Sequence, residues 1–146
     1  MPAILLDSNI LVYVVDAHQV ERQEKAIGLV RSLAQTRSGR LSAQCLSEFM
    51  SVSIKKLGLS PAEAIGQVER WVRVFPVFPL TPQIILEAAR GVRDHGLAYY
   101  DAQIWAAARL GQISIVFSED FQEGQVLEGV RFINPFAPAF DLDEWL

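Results

Sequence analysis

The sequence predicts an α/β domain with a short, mainly parallel sheet flanked by helices, on three observations. Short apolar runs of strand length alternate along the chain with amphipathic stretches of helix length. Two of the runs, Ala3 to Leu6 and Ile113 to Phe117, are apolar at nearly every position, as strands covered on both faces are. Both lead into acids rather than turn residues: Asp7 follows the first at once, and Ser118-Glu119-Asp120 follows the second. Ligands of an open α/β sheet bind beyond the carboxyl ends of its strands, where these acids would stand.

Taken in order, Ala3 to Leu6 opens the chain as a buried strand that Asp7 closes. An ionised carboxylate is almost never fully buried without a partner, so Asp7 is expected at the mouth of a cleft or beside a cation. Ser8 and Asn9 are helix-capping types, and Ile10, Leu11 and Tyr13 to Val15 begin the helix they would cap. From Val20 to about Gln35, the residues Ala26, Ile27, Val30, Leu33 and Ala34 recur with helical spacing between charged residues. Leu41 to Ala43 is a candidate second strand. A helix from about Cys45 to Leu57 follows, with Leu46, Met50 and Ile54 on its apolar face, Glu48 near its start and Gly58 as its stop.

Ser60-Pro61-Ala62-Glu63 combines a serine cap, a proline at the first helical position and a glutamate that closes a capping box. The helix it starts runs through Ile65, Val68 and Val72 to about Val74. Pro76 and Pro79 restrict any strand at Val77-Phe78 to a brief or edge one. Thr81-Pro82 begins a helix that carries Ile85, Ala88, Ala89 and Val92 and ends between Arg93 and Gly96. Ala98 to Leu110 leaves almost no polar face, so a helix there is buried on most sides, and its one acid is Asp101. After Ile113 to Phe117, Val130 to Ile133 is a last strand, stopped by Asn134-Pro135.

The length of 146 residues suits one domain over 1–146, with the acidic tail from about Phe136 to Trp145-Leu146 read as a docking segment. Hydrophobic residues make up 51% and charged ones 21%, an apolar excess that leaves surface for a partner. A net charge of −4 argues against holding nucleic acid through a broad basic face, but not against an enzyme that meets phosphate through metal ions. Cys45 is the only cysteine, so no internal disulfide forms and a reducing cytoplasm is the expected compartment. The start lacks a basic leader and no run reaches the ~18 apolar residues of a membrane span, so neither a signal peptide nor a membrane role is expected.

Parallel strands of one sheet end on the same side, so Asp7 and Asp120 converge, and Glu48 and Asp101 join them if their helices start at that edge. Carboxylates clustered without a fixed positive partner repel one another. The arrangement makes sense around Mg²⁺ or Mn²⁺, hard cations that take oxygen ligands and bind substrate phosphate at the same time. Such ions turn a water into a nucleophile and stabilise the leaving oxygen of a phosphodiester.

Leu6-Asp7-Ser8-Asn9, Leu46-Ser47-Glu48-Phe49, Tyr100-Asp101 with Ala102 to Ala108 after it, and Ser118-Glu119-Asp120-Phe121 resemble, in this order, the four acidic motifs of the PIN-domain nucleases. They are most similar to those of the VapC-type toxins of bacterial and archaeal toxin–antitoxin pairs. Phe132 to Phe136 resembles the family's terminal strand, so the resemblance runs from Asp7 to about Pro135. It implies a three-layer α/β fold and a Mg²⁺- or Mn²⁺-dependent endoribonuclease that cuts RNA, silenced by a small antitoxin protein and assembled as a homodimer. Asp7, Glu48, Asp101 and Asp120 would be the metal-binding and catalytic acids, with Ser8, Asn9 and Ser118 orienting them or the substrate. Asp120 is the position that varies most in the family, and Glu119 stands beside it as a competitor.

Each acid also has a plainer reading. Asp7 and Asp101 would serve as helix caps, Glu48 as a solvated helix carboxylate and Asp120 as a turn residue. His18 and His95 are isolated surface or helix-end residues, and Trp71 and Trp105 read as core. Lys55, Lys56, Arg37, Arg40, Arg90 and Arg93 read as solvated faces before an RNA path. Two rival functions stand beside the nuclease. One is a phosphatase with Asp7 as covalent nucleophile, weakened by Asn9 where such enzymes place a second acid. The other is an acidic-pocket regulatory module that holds Mg²⁺ without cutting anything.

Overall fold

The structure, a computed structural model, describes residues 2–146. β1 (Ile4–Leu6) feeds α1 (Ser8–Val15) and α2 (Val20–Gln35), and β2 (Gly39–Ser42) runs directly into α3 (Ala43–Lys55). Next come α4 (Pro61–Val74), β3 (Val77–Phe78), α5 (Pro82–His95), α6 (Tyr99–Leu110), β4 (Ile115–Phe117), and the hairpin of β5 (Val126–Leu127) and β6 (Val130–Ile133). The strands form one sheet in the order β3-β2-β1-β4-β6-β5, parallel except for the β5–β6 hairpin and flanked by six helices. The α/β fold is the expected one. Of the strands, only β5 is not expected from the sequence, because two residues carry no period.

The centre of the sheet belongs to the two apolar runs. Ile4, Leu5, Leu6, Val116 and Phe117 are fully buried, and β1 and β4 pair in a register that sets Leu6 opposite Phe117. The next residues, Asp7 and Ser118, therefore leave the sheet side by side, and the Asp7 N–H donates to the Phe117 carbonyl at 3.0 Å. β3 sits at an edge, as its flanking prolines require.

Helix starts follow their local chemistry. Ser60 Oγ accepts from the Glu63 N–H at 3.1 Å and Glu63 accepts from the Ser60 N–H at 3.3 Å, the capping box read from the sequence. Two strand–helix junctions are tighter than expected. α3 begins at Ala43, because Ser42 Oγ accepts the Cys45 N–H at 3.2 Å and caps it there. At the first junction Asp7 holds the cap position, and Ser8 and Asn9 are the first residues of α1.

On α4 and α5 only some of the apolar residues that mark the helices meet the core, among them Val68 and Ala88. Ala64 and Trp71 meet the core on α4 while Ile65 and Val72 face outward; on α5 the core side is Ile84, Ala88 and Gly91, while Ile85 and Val92 are exposed. Close approach explains α5. A Cβ added at Gly91 would stand 2.8 Å from the Trp105 ring of α6, so small residues mark the contact and large ones are turned away. Overpacking of this kind costs about 1–3 kcal/mol, against the ~1 kcal/mol that alanine gains over glycine in a helix. Gly91→Ala is therefore expected to lower the midpoint of urea unfolding, and a raised midpoint would show that the α5–α6 contact is looser than this.

Trp71 and Trp105 are core residues, as expected. The tail lies on its own chain: Phe140 meets Phe117 edge-on at 5.4 Å between ring centroids, and Trp145 and Leu146 pack partly buried against the core. Among the described residues, no helix is long and apolar enough to cross a membrane.

Candidate functional site

Asp7 is only 5% exposed. Its Oδ1 accepts the Ser8 N–H at 2.7 Å and its Oδ2 accepts the Ser118 hydroxyl at 2.7 Å, while the Cys45 thiol lies 3.9 Å from Oδ1. These donors do not replace the lost water. Burial pushes the Asp7 carboxyl up to about 7, against the lowering effect of Ser118 and Ser8, and the charges of Asp120 and Glu48 add to the rise. Cys45 is buried beside it, its thiol pushed up by burial and then by Asp7, so it stays a neutral packing residue.

Ser118 joins the two central strand ends. Its hydroxyl donates to Asp7 and accepts from Asn9 Nδ2 at 3.3 Å and from the Asp120 N–H at 3.1 Å. One side chain thus orients the first acid and shapes the loop that carries the last. Asn9 Oδ1 is buried and has no hydrogen-bond partner among the described residues.

Glu48 stands in the second turn of α3, half-buried. Its Oε1 accepts Gln44 Nε2 at 2.7 Å and its Oε2 accepts the Ser8 hydroxyl at 3.4 Å. Gln44 Nε2 also donates to the Tyr100 carbonyl at 3.0 Å, so a single amide ties α3 to the first turn of α6. Asp101 lies inside that turn. The cap position of α6 is Ala98, with no side-chain cap, so Asp101 is not the helix cap it could have been. Burial first, then the charges of Asp120 and Glu48, raises its carboxyl above the ordinary range.

Asp7 and Asp101 both feel Glu48 and Asp120, which puts all four acids in one electrostatic neighbourhood at the carboxyl edge of the sheet. None of the ion pairs among the described residues involves any of them. Glu119 is differently placed. Its carboxylate accepts from the Tyr13 hydroxyl and from Arg22 Nε, the latter at 3.2 Å, and the Arg22 guanidinium covers the Tyr13 and Phe136 rings. With Glu119 occupied in anchoring the loop, Asp120 is the uncommitted acid of the pair.

Gln44, Tyr13 and Arg22 support the site without being singled out by the sequence. Gln44 had a signal, its i,i+4 spacing to Glu48. Tyr13 and Arg22 had none, since their partner Glu119 is 106 and 97 positions away. The arginines considered as an RNA path are partly committed elsewhere: Arg90 pairs with Glu87, Asp94 and Glu128, and Arg93 with Asp94.

Among the described residues, no three His, Cys, Asp or Glu side chains gather tightly enough to hold a metal ion by themselves. A hard divalent cation takes oxygen ligands, keeps several waters and binds carboxylates together with substrate phosphate. The donor set fits such an ion: it is all oxygen and anionic, with a buried Asp7 that lacks a cationic partner. Two grooves flank the Ser8–Glu48 contact. One, of about 350 Å³, is lined by Ser8, Asn9, Tyr13 and Lys56, and the other, of about 590 Å³, by Glu48, Gln44, Tyr99 and Tyr100. A third cavity, about 530 Å³ between α2 and the tail, is lined by none of Asp7, Glu48, Asp101 and Asp120.

The sequence profile of the PIN domain matches residues 4–123, a span that contains all four acids. The chain belongs to the PIN domain family. No curated protein sequence matches this PIN chain. Among solved structures it is similar to a toxin-antitoxin complex from Klebsiella pneumoniae, with 15% identity and a TM-score of 0.67 over 92% of this chain and 98% of that one. It is also similar to Mycobacterium tuberculosis VapC20, a sarcin-ricin loop cleaving toxin, with 19% identity and a TM-score of 0.64 over 88% and 99% of the two chains. VapBC2 from Rickettsia felis, bound to a DNA fragment from its promoter, aligns at 14% identity and a TM-score of 0.65 over 89% and 96%. At these identities the likeness speaks for the PIN fold.

Proposed function

We propose that this PIN chain, acting as one domain over 1–146, is a Mg²⁺- or Mn²⁺-dependent endoribonuclease that hydrolyses RNA phosphodiesters, and that it is the toxin of a toxin–antitoxin pair. The observation that carries the reading is Asp7. A carboxylate buried to this degree, raised to about 7 and without a cationic partner costs stability, and an arrangement that costs stability at a sheet's carboxyl edge is best explained by a ligand that offsets it.

In this reading Asp7, Glu48, Asp101 and Asp120 hold the divalent ion. The chemistry such an ion supplies is activation of a water as nucleophile and stabilisation of the leaving oxygen. The chain's own residues do the positioning: Ser118 aims Asp7, Ser8 and Gln44 aim Glu48, and the Tyr13–Glu119–Arg22 cluster anchors the loop that presents Asp120. Asn9 offers a free buried carbonyl oxygen for a water or substrate donor at the same edge. The solvent-facing Ile65 and Val72 of α4 and Leu86 of α5 support an assembly with partners, a homodimer and a small antitoxin protein, and the compartment that goes with this reading is the cytoplasm.

The test is cleavage of structured and single-stranded RNA with Mg²⁺, in EDTA, and with the Asp7→Asn variant. Cleavage that needs the ion and is lost in both controls is the expected result. Undiminished cleavage in EDTA would overturn the metal mechanism, and Mg²⁺ binding without cleavage of any RNA would favour the regulatory-module reading.

A further inference from the structure

The larger groove beside Glu48 has features that the cutting reaction does not use. Tyr100 is 66% exposed and Tyr99 39%, and the two rings meet edge-on with centroids 5.4 Å apart. Exposed tyrosines at the start of a helix whose middle, Ala102 to Ala108, is buried do nothing for the core. They line the groove of about 590 Å³ with Leu80, Ile85 and Gln44, next to the two acids: Glu48 is part of its wall, and Asp101 follows Tyr100 directly. Gln44 connects the parts, since its amide binds both the Glu48 carboxylate and the Tyr100 carbonyl.

We propose that this groove is a subsite for an unpaired nucleobase of the RNA substrate, which stacks on the Tyr100 ring while the adjoining phosphodiester lies at the acids. The proposal rests on the nuclease reading and adds the place where the base beside the cut is held and the residue that holds it. Charge favours a base over a phosphate here. Glu48 is the only charged residue among those lining the groove, so a phosphate would meet no cation, whereas the neutral face of a base meets aromatic and aliphatic carbon. The volume lies in the range of small-ligand sites. Bases stack on aromatic side chains whatever their identity, so the subsite selects for unpaired structure more than for sequence.

The test measures binding and cleavage separately. Fluorescence anisotropy with a fluorescein-labelled single-stranded RNA 12-mer and with a 12-base-pair RNA duplex, in Mg²⁺ and on an Asp120→Asn background to slow cutting, compares Tyr100→Ala and Tyr100→Phe with their parent. Tyr100→Ala is expected to weaken single-strand binding by about ten-fold, the size of one lost base–aromatic stack. Tyr100→Phe keeps the ring and should stay within about two-fold. Duplex binding should not distinguish the three. With Asp120 restored, the Tyr100→Ala loss should fall on KM rather than on kcat.

Equal losses on duplex and single strand, or no loss with alanine, would overturn the subsite while leaving the nuclease reading in place. Sedimentation that shifts the Tyr100→Ala protein from dimer to monomer would assign the groove to a second copy of the chain and also overturn it. A parent protein that neither binds nor cuts any RNA removes the nuclease reading and the subsite together.

Discussion

Asp7→Asn is expected to abolish cleavage and, in EDTA at pH 8, to melt at a higher temperature than the wild type. The sign follows from the direction of the shift. The Asp7 carboxyl stands at about 7 in the folded chain against 3.8 for the free residue, so folding favours its protonated form. Stability is therefore intact below pH 4, falls as pH rises from about 4 to 7, and carries the full penalty above that. The difference converts to on the order of 4 kcal/mol. Asparagine never pays it. Its amide oxygen can still accept from the Ser8 N–H, though the geometry with Ser118 has to be rebuilt at a cost of about 1 kcal/mol. The net gain corresponds to a melting temperature higher by on the order of 5–10 °C at pH 8, shrinking to nothing near pH 4. Thermal melts across pH in chelator read both. A variant that melts lower at pH 8 would mean that the two hydrogen bonds outweigh the burial of charge. Adding Mg²⁺ should stabilise the wild type and leave the variant nearly unmoved.

Asp101→Asn should lower cleavage by ~100-fold or more, with the protein still folded, as loss of a group that stabilises the reacting centre does. Two effects compete over its stability. An acid in the first turn of a helix gains about 0.3–1 kcal/mol from the helix dipole, while burial and the charges of Asp120 and Glu48 oppose the ionised form and prevail, since the carboxyl is raised. The variant should accordingly melt no lower than the wild type in EDTA and show a smaller Mg²⁺ shift. Asp101→Ala should not show the ~1 kcal/mol loss of a removed cap, because Ala98 holds that position. An asparagine variant that retained the full Mg²⁺ shift would take Asp101 out of the site.

The parts of the fold legible in the sequence were those with a local cause. The Ser60–Glu63 box, the Gly96 stop of α5 and the buried runs at Ile4–Leu6 and Ile115–Phe117 each follow from neighbours within a few residues. Which apolar residues of α4 and α5 face the core is not legible in the sequence, because periodicity shows that a helix has an apolar side, and here there are two. Ile65, Val72, Ile85 and Val92 are as apolar as the residues that face the core. Only the neighbour decides between them, and on α5 that neighbour is Trp105, which admits Gly91 and no larger residue.

The same division holds for the site. Sequence alone determined that acids follow two central strands and that two helices bring Glu48 and Asp101 near their starts, because parallel strands of one sheet share a carboxyl edge. It determined neither the state of those acids nor their supports. That Asp7 rather than Ser8 or Asn9 holds the cap of α1, that Asp101 is no cap, and that Glu119 is taken up by Tyr13 and Arg22 while Asp120 is left free were decided by tertiary structure. The reason is distance along the chain. Ser118 is 111 positions from the Asp7 it orients and Glu119 is 106 from Tyr13, and side chains that far apart in sequence acquire burial, charge and hydrogen-bond partners only when the sheet brings their strand ends together.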